Sequence, residues 1–308
     1  MRDLPLARSV VDLTIEPGTP VRGIAQLTVD SGVEVNPTLL YWFMRLSGQS
    51  RLLRAGSYEI KAGESSWDLL QKISRGQESL QTLVLVEGWT FRQFRAALDR
   101  SEHLQHQTRG QTDEAVMALL GRPGQAPEGR FFPDTYAHGK GDSDVRILSR
   151  AMKAMDRQLA NAWLARAERN ELTTAEQALI LASIVEKETG KASDRRMISS
   201  VFHNRLRVGM PLQTDPTVIY GMGEAFDGNL RRRDLQTDHP WNTYTRKGLP
   251  PTPISMPGKA ALLAAVQPER SQAFYFVARG DGSSQFSETL EQHNAAVDRY
   301  QRNPAKAQ

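Results

Sequence analysis

Three times in its N-terminal third the chain changes hydrophobic period just after a glycine. The stretches are Leu13 to Ala25 around Gly18, Tyr58 to Leu70 around Gly63, and Leu83 to Phe94 around Gly88. In each, apolar residues alternate before the glycine and recur at helical spacing after it, which reads as strand, tight turn and helix. Chains built this way fold as mixed α and β structure. The unequal spacing of the three glycines excludes a solenoid repeat.

Further along, helical spacing predicts helices over 145–169, 175–208 and 262–266. A strand is expected at Phe274 to Ala278 and a closing helix from Ser287 to Tyr300. Between Pro211 and Pro257 the chain is rich in Gly, Pro, Asn, Asp and Thr. That is too long for an ordinary connection and points to a functional segment. The 308 residues suffice for about two domains. The expected fold is α+β, with a small N-terminal βα subdomain at residues 1–78 and a larger mixed α+β domain at 79–308.

Composition excludes several chemistries. There is no Cys, hence no disulfide framework, thiolate metal site or Cys nucleophile. The six histidines are scattered without a His-Glu-x-x-His pattern, so no metal and no cofactor is expected. Neither a phosphate-binding loop nor a Gly-x-Ser-x-Gly elbow occurs. The charge of +4 mildly favours anionic surfaces. The run Arg231 to Arg233 has no nucleic-acid signature beside it. The longest apolar run, Ala178 to Val185, is far below the ~18 residues that span a membrane.

The best-marked helix runs from Thr173 to Gly190. Thr173 with Glu176, or Thr174 with Gln177, makes a capping box, and Gly190 is placed for a C-cap. Near its end stand Glu186 and Glu188, about 200° apart around the axis. Glu188 continues the stripe of Leu181, Ile184 and Val185, whereas Glu186 does not. A carboxyl on an apolar face, at the helix end whose dipole disfavours negative charge, has its pKa raised as a general acid requires. The competing reading is a solvated Glu188 paired with Lys191. In the following segment Gln213, Thr214 and Asp215 cluster amide, hydroxyl and carboxylate, suited either to sugar hydroxyls or to the loop's own backbone. Trp241 to Tyr244 reads either as an aromatic platform with polar neighbours or as aromatic residues beside a proline that belong to the core.

Two resemblances attach to these residues. Tyr58 through Ile73 resembles the core of a LysM module, a βααβ domain that binds N-acetylglucosamine-containing glycans. Almost the whole chain resembles the YceG-like family of endolytic murein transglycosylases. The matching motifs are Leu85 to Gly88, Glu128 to Tyr136, Ala182 to Thr189, Ser200 to Leu206, Leu212 to Gly221, Asn242 to Tyr244, Gly248 to Pro251 and Tyr275 to Ala278. Trp241 stands where Tyr is usual, Met256 where Asn is common, and Ser284 where a His often precedes the Phe286 strand.

The resemblance implies cleavage of the β-1,4 bond between N-acetylmuramic acid and N-acetylglucosamine in peptidoglycan, leaving 1,6-anhydromuramyl ends. It implies one catalytic glutamate, Glu188, and a groove lined by Glu128, Asn204, Gln213, Thr214, Asp215, Tyr220, Asn242, Thr243 and Tyr244. Implied partners are nascent glycan strands, whose elongation the cleavage would terminate, and peptidoglycan synthases of the penicillin-binding class. Family members carry one N-terminal membrane helix, so the resemblance makes this chain the periplasmic part of an enzyme anchored in the bacterial inner membrane. The readings that compete are a non-catalytic LysM-type wall-binding module and a muramidase-type hydrolase with Asp215 activating water.

Overall fold

The structure, a computed structural model, describes residues 3–302. In chain order the elements are β1 (Val10–Ile15), α1 (Val21–Asp30), α2 (Pro37–Leu46), β2 (Gly56–Lys61), α3 (Ser66–Arg75), β3 (Leu80–Val84), α4 (Phe91–Arg100) and α5 (Asp113–Leu119). There follow β4 (Thr135–Gly139), α6 (Asp144–Leu164), α7 (Ala175–Glu188), α8 (Arg195–Arg207), α9 (Asp215–Met222), α10 (Arg232–Gln236), α11 (Lys259–Val266), β5 (Tyr275–Ala278), β6 (Ser284–Ser287) and α12 (Leu290–Val297). The fold is α+β, with three two-stranded sheets, β1–β2, β3–β4 and β5–β6, among the described residues.

The three period switches are β1–α1, β2–α3 and β3–α4. Gly18, Gly63 and Gly88 have φ of 86°, 90° and 75°, the left-handed region that a side chain disfavours.

The chain forms two compact units. One takes in the chain up to Leu83 with Ala97–Arg109 and Thr135–Ile147; the other takes in Val84–Ala96, Gly110–Asp134 and the chain from Leu148 onward. In the first, β1 and β2 pair antiparallel with Leu13 opposite Tyr58. Alternate residues Val11, Leu13 and Ile15 enter a core with Ile24, Leu40, Met44, Leu69 and Ile73. The strand–helix–helix–strand order belongs to β1–α1–α2–β2, whereas Tyr58 through Ile73 forms only β2 and most of α3. The Ser65–Asp68 capping box starts α3 and left-handed Gly76 ends it.

In the second unit α7 is the central element. All eight residues from Ala178 to Val185 are buried, so this helix is enclosed around its circumference rather than along one stripe. Both α8 and α11 pack on it. Thr174 is its N-cap, accepting from Gln177 N at 3.2 Å, while Gln177 Oε1 accepts from Thr173 N. The other end departs from expectation: α7 stops at Glu188, Thr189 is extended, and Gly190 makes no left-handed cap. Thr189 Oγ1 instead accepts from Lys191 N at 2.9 Å, which turns the chain away.

The segment between Pro211 and Pro257 is not one long loop, since it holds α9 and α10. No helix among the described residues is long and apolar enough to cross a membrane.

Candidate active site

Glu188 is the last residue of α7, and the buried body of that helix fixes where its carboxyl emerges. Thr214 Oγ1 donates a hydrogen bond to Glu188 Oε1. Burial pushes the Glu188 carboxyl up to about 7 and the nearby Asp215 charge adds to the effect, against the opposing pull of the Thr214 hydroxyl and Arg205. An ordinary carboxyl is fully ionised at neutral pH, whereas this one exchanges a proton there.

Glu188 opens on a cavity of about 360 Å³ lined also by Arg205, Gln213, Asp215, Tyr244, Tyr275 and His293. Tyr244 donates its hydroxyl to Asp215 Oδ1 at 2.5 Å. Arg205 is buried, donating from Nε to Phe274 O at 2.7 Å and from a terminal nitrogen to Leu212 O at 2.6 Å. Its guanidinium lies 5.4 Å from the Tyr275 ring centre, and that ring stacks on His293. A buried cation thus ties the 211–215 turn to β5 and faces the carboxyl.

The turn itself is held from behind. Gln213 N donates to Thr243 O at 3.0 Å, Thr214 N to Thr243 Oγ1 at 3.1 Å, and the Thr217 and Thr243 hydroxyls share a 2.8 Å bond. Asn242 is fully buried, its amide donating to the carbonyls of Leu235 and Thr237 while its oxygen accepts from Tyr244 N. Gln213 has φ of 49°, the one non-glycine residue at positive φ among those described. Such strain persists only where the surroundings over-determine it, and it lies one residue from the Thr214 donor.

The candidate residues therefore divide by position. Glu188, Gln213, Asp215 and Tyr244 line one cavity, with Thr214 beneath them. Asn204, Asn242 and Thr243 are buried braces; Asn204 donates to Ser271 O and Ala273 O at 3.0 and 2.9 Å. Glu128 and Tyr220 instead line a larger cavity of about 1000 Å³ with Phe91, Trp241, Phe226 and Lys187. Glu128 accepts from Phe91 N, at the start of α4, and burial pushes its carboxyl up to about 7 as well.

The Glu186 side chain is also enclosed, with 6% of it exposed. It accepts from Gly258 N at 2.9 Å and stands 3.6 Å from an Arg195 guanidinium nitrogen, so both of its partners favour the anion. Burial nevertheless raises its pKa. It fastens the end of the 211–257 segment to α7, as do Ser183 and Ser255, which bond across the same junction. Arg205, Tyr275 and His293 are site residues that the spacing of the sequence does not single out. Arg205 and Tyr275 fall within the Ser200 to Leu206 and Tyr275 to Ala278 motifs, whereas His293 lies outside every motif.

The profile of the YceG-like family matches residues 13–299. An endolytic murein transglycosylase of Bacillus subtilis is 29% identical over 96% of this chain and 86% of its own length. One from Streptococcus pneumoniae is 26% identical over 94% of this chain, which spans only 58% of that protein. The crystal structure of a yceG-like protein from Listeria monocytogenes superposes with a TM-score of 0.58 at 30% identity, covering 93% of this chain and 98% of the other.

Proposed function

The chain belongs to the YceG-like family, and we propose that it is an endolytic peptidoglycan lytic transglycosylase. The observation that carries this reading is Glu188, a carboxyl able to hold or release a proton at neutral pH, open to a cavity and fixed by Thr214.

The bond cleaved is the β-1,4 link between N-acetylmuramic acid and N-acetylglucosamine. Glu188 in its neutral form donates its proton to the glycosidic oxygen as the bond to muramyl C1 breaks. The muramyl C6 hydroxyl then bonds to C1, and its proton passes to the Glu188 carboxylate. The acid is regenerated, the product carries a 1,6-anhydro ring, and no water is consumed. Most glycosidases need a second carboxylate to attack or to activate water. Here the nucleophile belongs to the substrate, so proximity replaces that group. Asp215 and Tyr244, bonded to each other at the cavity wall, are groups for sugar hydroxyls. The substrate is nascent glycan, with cleavage ending elongation beside a peptidoglycan synthase. The β1–α1–α2–β2 order supports a LysM-like role for the N-terminal unit. An inner-membrane protein with its catalytic region in the periplasm fits this substrate.

The test is release of soluble fragments from isolated sacculi by the wild type and by Glu188→Gln, with circular dichroism to verify folding. The reading requires release to vanish in the folded variant. A second reading, hydrolysis with Asp215 activating water, is favoured by the presence of that carboxylate in the same cavity; it predicts ordinary reducing ends.

A further inference from the structure

Helix α2 carries large apolar residues on its exposed side as well as on its buried one. Leu40 and Met44 are buried in the core of the N-terminal unit. Leu39, Trp42 and Leu46 are 71%, 52% and 79% exposed. At 100° per residue these three lie within about 60° of one another, forming one solvent-facing stripe. Trp67, 38% exposed, meets Phe43 of α2 edge to face, and Leu52 is exposed in the segment after the helix. A contiguous exposed apolar patch marks a surface that something covers.

The charge of the surrounding segment points to what covers it. From Asn36 to Ala55 the chain carries Arg45, Arg51 and Arg54, all exposed, and no Asp or Glu. The flanking acids are Glu34, two residues before the stretch, and Glu78, packed on Gly56 just after it; Asp68 is turned to Ser65 in the α3 cap. We propose that this face of α2 docks on an anionic lipid bilayer surface, with Leu39, Trp42 and Leu46 entering the headgroup boundary and Arg45 and Arg51 meeting lipid phosphates. Tryptophan flanked by leucine and arginine is what an interfacial helix presents, and shallow insertion of one stripe needs no long apolar span. Because its opposite side is fixed in the core, α2 lies flat and cannot insert across the membrane.

The test is co-sedimentation of the full chain with vesicles of phosphatidylcholine alone and of phosphatidylcholine mixed with phosphatidylglycerol. Binding to the mixed vesicles, weakening as salt rises and accompanied by a blue shift of tryptophan emission, is expected. The variant Leu39→Ser/Trp42→Ser/Leu46→Ser should lose at least tenfold in affinity. Arg45→Gln and Arg51→Gln should each lose about fivefold, on mixed vesicles only. All these side chains are exposed, so melting curves should match the wild type. Absence of binding to mixed vesicles, or undiminished binding by the triple serine variant, overturns the proposal. So does finding that the stripe instead drives dimerisation in sedimentation velocity or capture of chitooligosaccharides, each lost in the triple variant.

Discussion

The hydroxyl of Thr214 donates to the carboxyl of Glu188, joining the end of α7 to the residue just before α9. This bond favours the anion, and without it burial would raise the carboxyl pKa further. Thr214→Val keeps the shape of the side chain and removes the donor. The alkaline limb of the pH–activity profile, set by the acid form of Glu188, should move upward by about one unit. The turnover number should fall about tenfold as the carboxyl loses its anchor. A variant with unchanged pH profile would separate Thr214 from the reaction.

The raised pKa also predicts a pH-dependent cost to stability. In the unfolded chain Glu188 ionises near the ordinary glutamate value, and in the folded protein at about 7. Its favourable contribution is therefore complete below the ordinary value and lost as pH rises through 7. Glu188→Gln should melt higher than the wild type at pH 8, by on the order of 1–3 kcal/mol, and show little gain at pH 4. Calorimetry at the two pH values checks the sign.

Glu128 shares the raised pKa but differs in its partners. Its oxygens accept from Phe91 N, so it braces the start of α4. Glu128→Gln retains an acceptor and should keep most activity. Glu128→Ala should cost about 1–3 kcal/mol by leaving a buried N–H unpaired. Thermal denaturation and sacculus release, measured on both variants, distinguish a brace from a second acid.

Asn242 organises the segment that backs Thr214. Replacing it with Ala leaves the Leu235 and Thr237 carbonyls and Tyr244 N without that partner. A loss of about 2–4 kcal/mol is expected, with activity falling in parallel as Tyr244 and Thr243 shift. Asn242→Asp should do little better, because a carboxylate cannot donate to those carbonyls.

The parts of the fold that were legible in the sequence are those where local chemistry and tertiary structure agree. The three βα turns were readable because a positive-φ glycine separates two clear hydrophobic periods. Helix α2 was not, since exposed Leu39, Trp42 and Leu46 stand among buried Leu40 and Met44 and blur its period; only Asn36 as N-cap with Pro37 at the first turn marked it. Glu188 was singled out by an apolar stripe that the enclosed α7 does not have. Its surroundings instead come from the 211–215 turn and β5, which are remote in sequence. The burial of Glu186 was likewise hidden, because Gly258 and Arg195 are supplied by other elements. Asn204, Asn242 and Thr243 read equally well as groove or brace, since a polar side chain next to a turn does not reveal which way it points.

The central claim is that one carboxyl, Glu188, makes an anhydro ring without water. Mass spectrometry of the fragments released from sacculi tests it most directly. The account predicts 1,6-anhydromuramyl ends from the wild type and none from folded Glu188→Gln. Ordinary reducing ends from the wild type, or anhydro ends persisting in the variant, would contradict it.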